Sequence, residues 1–145
     1  LCFNAWKATI FKKMNKDRAL YKGKTKDGIW VEGCLIIGVG SDRMHFYQIE
    51  NADINEFRKW TVKKETVGQY TGLTDRNGKK IFEGDKAIWL QAKGGIIPAD
   101  KKSYECLIEW SKSMSGWKCR LIDQTNHCGF TFSSEHLEVV GTIHD

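Results

Sequence analysis

Apolar residues along the chain come in short runs separated by Gly, Asn and Asp, and within the runs apolar and polar positions mostly alternate. A period of two is the mark of a half-buried strand, because successive side chains point to opposite faces. The pattern predicts strands over Arg18 to Gly23, Ile29 to Val39 and Met44 to Ile49, with a bulge at Gly33. Asp27-Gly28 is a turn signal that makes the first two a hairpin, and Gly38, Gly40, Ser41 and Asp42 form the next turn. Asn51 to Lys59 is the one short helix expected in this half, with Asp53 as cap and Glu56 closing a capping box. Trp60 and Val62 lead into a further strand.

The second half repeats the theme. Glu65 to Tyr70 reads as extended chain, and Thr71-Gly72 and Asn77-Gly78 read as turns, the latter with two residues suited to positive φ. Lys79 to Phe82, Ala87 to Leu90 and Tyr104 to Trp110 are strands, separated by a Glu83-Gly84-Asp85 turn and a loop over Gln91 to Ser103. In Trp117 to Ile122 the alternation is strict, with Trp117, Cys119 and Leu121 on one face. A polar loop from Asp123 to Gly129 precedes Phe130 and Phe132. Ser133 to Leu137 reads as a 3₁₀ turn or very short helix, and Glu138 to Ile143 is the last strand. The expected fold is mostly β, with at most one or two short helices. Residues 1–17 form an N-terminal extension, 18–65 a small β-rich subdomain, and 66–145 an SH3-like open barrel.

Composition narrows the function classes. The chain of 145 residues is 41% hydrophobic and 28% charged, which suits one ordinary domain or two very small ones. The formal net charge of +5 is mild, so ordinary solubility and a nucleic-acid partner both remain open. Five cysteines at positions 2, 34, 106, 119 and 128 make an odd set without a CxxC pair, which predicts reduced thiols in a cytoplasmic protein. No stretch approaches the length of a membrane-spanning helix, and Leu1 to Ile10 lacks the apolar core of a signal peptide.

The stretch Glu65-Thr-Val-Gly-Gln-Tyr-Thr-Gly-Leu-Thr-Asp-Arg-Asn-Gly-Lys-Lys-Ile-Phe-Glu-Gly-Asp85 resembles the hallmark of the YopX-like family of phages and prophages. Tyr21 to Gly33 is similar to the opening hairpin of that family, and Glu138 to Ile143 to its last strand. The resemblance runs from about residue 18 to 143, with 91–131 matching only in general character. It implies a β-rich fold with an SH3-like part and oligomerisation, in a bacterial host cell, and it supplies no catalytic residues. One departure stands after Asp85, where Lys86 and Ala87 precede Ile88 in place of an immediate β-branched residue.

No motif carries catalysis. Glu65, Glu83 and Asp85 would need to converge in space to act as acid, base or metal ligands; the plainer reading has Asp85 accepting backbone hydrogen bonds in its turn. Gly68, Gly72, Gly78 and Gly84 do not follow P-loop order and are better explained by turn geometry. Cys106, Cys119, Cys128, His127 and His136 lack the close pairs of a structural zinc site. His45 sits in an aromatic strand and reads as packed or exposed. The expectation is a non-enzymatic protein with no cofactor. The candidate interaction surface is Arg76, Lys79 and Lys80 with the rings of Tyr70 and Trp89, where basic groups lie near aromatic ones. The leading partner is a host or phage protein. Nucleic acid and sequestration of a small nucleotide-like ligand are the alternatives.

Overall fold

The structure is a computed structural model that describes residues 20–50, 58–90, 103–122, 129–130 and 134–145. Eleven strands make up the described chain: β1 (Leu20–Lys24), β2 (Trp30–Val39), β3 (His45–Glu50), β4 (Lys59–Thr61), β5 (Gly68–Thr74), β6 (Lys80–Phe82), β7 (Asp85–Leu90), β8 (Ser103–Ser111), β9 (Gly116–Leu121), β10 (Gly129–Phe130) and β11 (Leu137–Thr142). Two 3₁₀ turns, Lys64–Thr66 and Ser134–His136, are the helical elements among the described residues. The mostly β architecture expected from the alternation is what the chain forms. The helix expected at 51–59 falls on residues outside the described ones except at Arg58 and Lys59, and Lys59 opens β4. The N-terminal extension, the 91–102 loop and the 123–128 loop also lie outside them.

The chain divides into two compact units, residues 1–70 and 71–145. In the first, β1 to β4 form an antiparallel meander, and the start of β5 returns to pair with β1 through Tyr21 and Gln69. A bridge between Thr25 and Val62, with Lys63 N–H donating to the Lys24 carbonyl at 2.9 Å, joins the chain beyond β4 to the end of β1. Alternation puts Val31, Ile49 and Val62 into a small buried core, flanked by Tyr21, Leu35, Tyr47, Trp60 and Val67. In the second unit the sheet order is β10-β9-β8-β7-β11. Among the described residues its core is the larger: Ile81, Ala87, Cys106, Ile108, Cys119, Leu121, Leu137 and Val139 are buried, with Trp89, Tyr104 and Trp117 against them. Both units therefore follow one plan, in which a four-strand antiparallel run leads to a 3₁₀ turn and a fifth strand that pairs with the first.

Several local expectations change. Gly33 is not a bulge: β1 and β2 pair without interruption from Leu20–Cys34 to Lys24–Trp30. Its Gly is required because a Cβ there would fall on the Glu50 carbonyl. The bulge lies in β11, where pairing with β7 skips Val140 between Val139 and Gly141. Thr71-Gly72 is not a turn but part of β5, with Gly72 at φ +86°. Of the extended or edge chain expected over Glu65 to Tyr70, Gly68 to Tyr70 is the start of β5 and Val67 is extended, whereas Glu65 and Thr66 lie in the 3₁₀ turn Lys64–Thr66. At Asn77-Gly78 only Gly78 takes positive φ, +80°, because the side chain of Asp75 selects a different turn.

Candidate functional site

The central turn is built around Asp75, a nearly fully buried carboxylate. Its Oδ1 accepts the backbone N–H of Asn77 at 2.8 Å and of Lys79 at 2.9 Å, and its Oδ2 accepts that of Val139 at 2.9 Å. The Arg76 N–H donates to the Leu137 carbonyl at 3.0 Å. The turn is thereby tied to β11. Burial pushes the Asp75 carboxyl up, but the three backbone donors and the Lys79 ammonium outweigh it and hold it below the ordinary aspartate range. Asp85 does what its turn position suggested and accepts the Phe82 N–H at 2.9 Å. Asp75 was visible in the sequence only as part of the Thr-Asp-Arg-Asn-Gly run; the partner that gives it its role is 64 residues away.

On this frame Arg76, Lys79 and Lys80 are exposed on one hairpin, and the Lys79 ammonium reaches the Val139 carbonyl at 3.3 Å. Trp89 is half-buried against the core of the second unit, with Tyr104 at 6.1 Å between ring centroids. Tyr70 closes the first unit and is half-buried. The turn's three basic residues are thus grouped on the second unit, Trp89 packs into that unit's core, and Tyr70 belongs to the other.

Two further places stand out; in the second, the alternating Lys22, Lys24 and Lys26 and the Trp30 ring were visible in the sequence, but not their meeting on one face. The first is the far end of the β2–β3 hairpin. β1 pairs with β2 only as far as Cys34, and β4 pairs with β3 from Gln48. Beyond these points, among the described residues, β2 and β3 pair only with each other, as a two-stranded arm ending in Gly40–Met44. Ile37 is 56% exposed, Val39 59%, Met44 68% and Phe46 36%. Arg43 sits at the arm's tip with φ +62°. The second place is the opposite strand end of the same unit. Trp30 lies across from Lys24, and Lys22 is two residues back on the same face. The two ammonium groups stand 5.0 and 5.5 Å from the Trp30 ring centroid.

The remaining candidates resolve into packing. Cys106 and Cys119 are fully buried neighbours on β8 and β9; a hydrogen bond to Cys106 and burial hold the Cys119 thiol far above its ordinary value. Glu109 is held by Lys118 at 2.9 Å and Arg120 at 3.0 Å. Among the described residues no group of three His, Cys, Asp or Glu side chains could hold a metal ion. His127 and Cys128 lie outside those residues. Among the described residues no helix is long and apolar enough to cross a membrane.

The fold and its surfaces define a two-unit antiparallel β protein whose distinctive sequence, from Glu65 to Asp85, builds turns and strand ends. The family profile described as YopX protein matches residues 3–145, nearly the whole chain, and the protein belongs to that family. No curated protein matches the chain.

Proposed function

We propose that this is a phage-encoded accessory protein without enzymatic activity, which works by holding a host or phage protein on its β2–β3 arm. One observation carries the reading: an arm of two strands exposes Ile37, Val39 and Met44 by more than half while Ile49, in the same sheet, is fully buried. Exposed apolar groups concentrated at one place mark an interaction surface on a soluble β protein. The arm also carries Arg43 and Phe46, residue types enriched where binding energy concentrates. Ile37 and Val39 share one face of the ribbon and Phe46 lies on the other, so a cleft that grips both faces fits it better than a flat surface.

The test is site-specific photo-crosslinking from position 39 in infected or prophage-bearing cells. A discrete crosslinked protein is expected, and the Ile37→Asp/Val39→Asp pair should reduce crosslinking from a probe at position 44 by about tenfold, the loss of roughly 1.4 kcal/mol of binding. Crosslinking that ignores the charged substitutions would remove the arm from the reading. A product containing only this chain would replace the foreign partner with a second copy.

A further inference from the structure

We infer that the Lys22–Lys24–Trp30 face of the first unit is a second binding site, for single-stranded nucleic acid. The inference is independent of the arm, which lies at the other end of β2.

The charge of the described chain is uneven. In the first unit Lys22, Lys24, Lys26, Arg43, Arg58, Lys59, Lys63 and Lys64 face Asp27, Glu32, Asp42, Glu50 and Glu65, whereas acids slightly outnumber bases in the described part of the second. The fold gathers five of these lysines at one strand end. Lys22 and Lys24 share a face of β1, and Lys26 lies in the turn that follows. The Thr25–Val62 bridge brings Lys63 and Lys64 alongside, with Lys24 N–H donating to Thr66 Oγ1 at 2.8 Å. Three acids are also local: Glu32 across from Lys22, Asp27 in the turn, and Glu65. The balance stays positive.

The aromatic component decides the class of ligand. Two ammonium groups over one half-buried indole place phosphate-binding charge beside a stacking surface. A base stacked on Trp30 would displace the lysines from the ring towards its own phosphates, exchanging cation–π contact for ion pairing. A duplex keeps its base faces hidden and can use only the charge. An acidic peptide likewise has no use for the ring.

The test is fluorescence anisotropy of short labelled single-stranded DNA and RNA, with duplex DNA and polyglutamate as competitors, over a range of salt. Binding is expected to favour a single strand over both competitors. Lys22→Gln with Lys24→Gln should weaken it about tenfold and make the slope of log K against log salt shallower by about 1.4, the loss of two single-strand phosphate contacts. Trp30→Leu should weaken it at least about fivefold, and Trp30→Phe should retain most of it. Arg76→Gln with Lys80→Gln removes the same charge from the second unit and should leave binding within about twofold, since the site is local. Circular dichroism of each variant checks that it folds. Equal losses from both double variants would reduce the site to bulk charge, and polyglutamate competing as well as the single strand would assign the face to an acidic protein. Failure to bind a single strand at low salt would overturn the inference outright.

Discussion

At the scale of single residues, Asp75 shows how a buried carboxylate becomes structural. Each backbone donor it satisfies would otherwise be an unpaired group at a turn or on a strand, and one of them, Val139 N–H, is buried. Asp75→Asn keeps the shape but replaces one acceptor oxygen with a donor that faces a donor, and should lower stability by about 1–3 kcal/mol. The pH dependence has a definite sign. A carboxyl held below its unfolded value, about 3.9, contributes stability that is fully present above that pH and is lost as pH falls through the lower, folded value. Thermal unfolding followed at neutral pH and near pH 3 should show the wild type losing part of its advantage over Asp75→Asn at the acid end. A constant gap would mean that the carboxylate charge contributes nothing.

At the scale of elements, three hairpin turns share one hydrogen-bond design. In Thr25–Ile29, Gly40–Met44 and Asp75–Lys79 the first N–H donates to the fifth carbonyl, the fourth N–H donates back to the first, and the fourth residue takes positive φ. Gly28 and Gly78 fill that position in two of them and Arg43 in the third, at a cost of about 1–2 kcal/mol for the residue with a Cβ. The glycines of turns and of strands therefore fail differently. Gly78→Ala meets nothing within 4 Å and should cost only the conformational term, about 1–2 kcal/mol. Gly33→Ala drives a methyl into the Glu50 carbonyl and should cost more, about 3 kcal/mol. Denaturant unfolding of the two variants measures the difference, and the reverse order would contradict the close approach of β2 and β3.

The sequence made the strands legible because alternation survives almost everywhere: Trp117, Cys119 and Leu121 do share a face, and the turn before β11 is 3₁₀. It mistook Gly72 and Gly33 because a glycine reads alike whether it serves a turn, a strand with positive φ or a tight crossing. The choice at Asn77-Gly78 rested on Asp75, whose contact with Val139 no local pattern contains. The basic and aromatic residues were legible as chemistry but not as place. Basic and aromatic residues were visible, but not that Trp89 packs into a core or that Trp30 carries two ammonium groups.

At the scale of the whole molecule, one plan is executed twice with unequal cores. Among the described residues the first unit buries Val31, Ile49 and Val62, whereas the second buries Ile81, Ile108, Leu137 and the cysteine pair among others. Stability follows buried apolar area, so the first unit should open at lower free energy. Native-state hydrogen exchange is the measurement: amides of β2 and β3 are expected to exchange before those of β7, β8 and β9. A single exchange free energy across both sets would show that the two cores rise and fall together. The expected order would place the proposed arm and the proposed basic face on the unit that opens first, as expected of binding elements, which are drawn from the less stable parts of a fold.

The clasp between Asp75 and Val139 also sets a timetable for biosynthesis. Every strand pairing of the first unit lies within residues 20–70, so the ribosome has released all its partners before the second unit's last strand is made. The second unit waits. Until β11 emerges, several seconds later at ordinary translation speeds, its carboxylate stays hydrated and the faces of Ile81, Ile108 and Cys119 lack their lid. During that interval these apolar faces stay uncovered, and a messenger slow to translate beyond residue 90 would lengthen their exposure to chaperones and proteases.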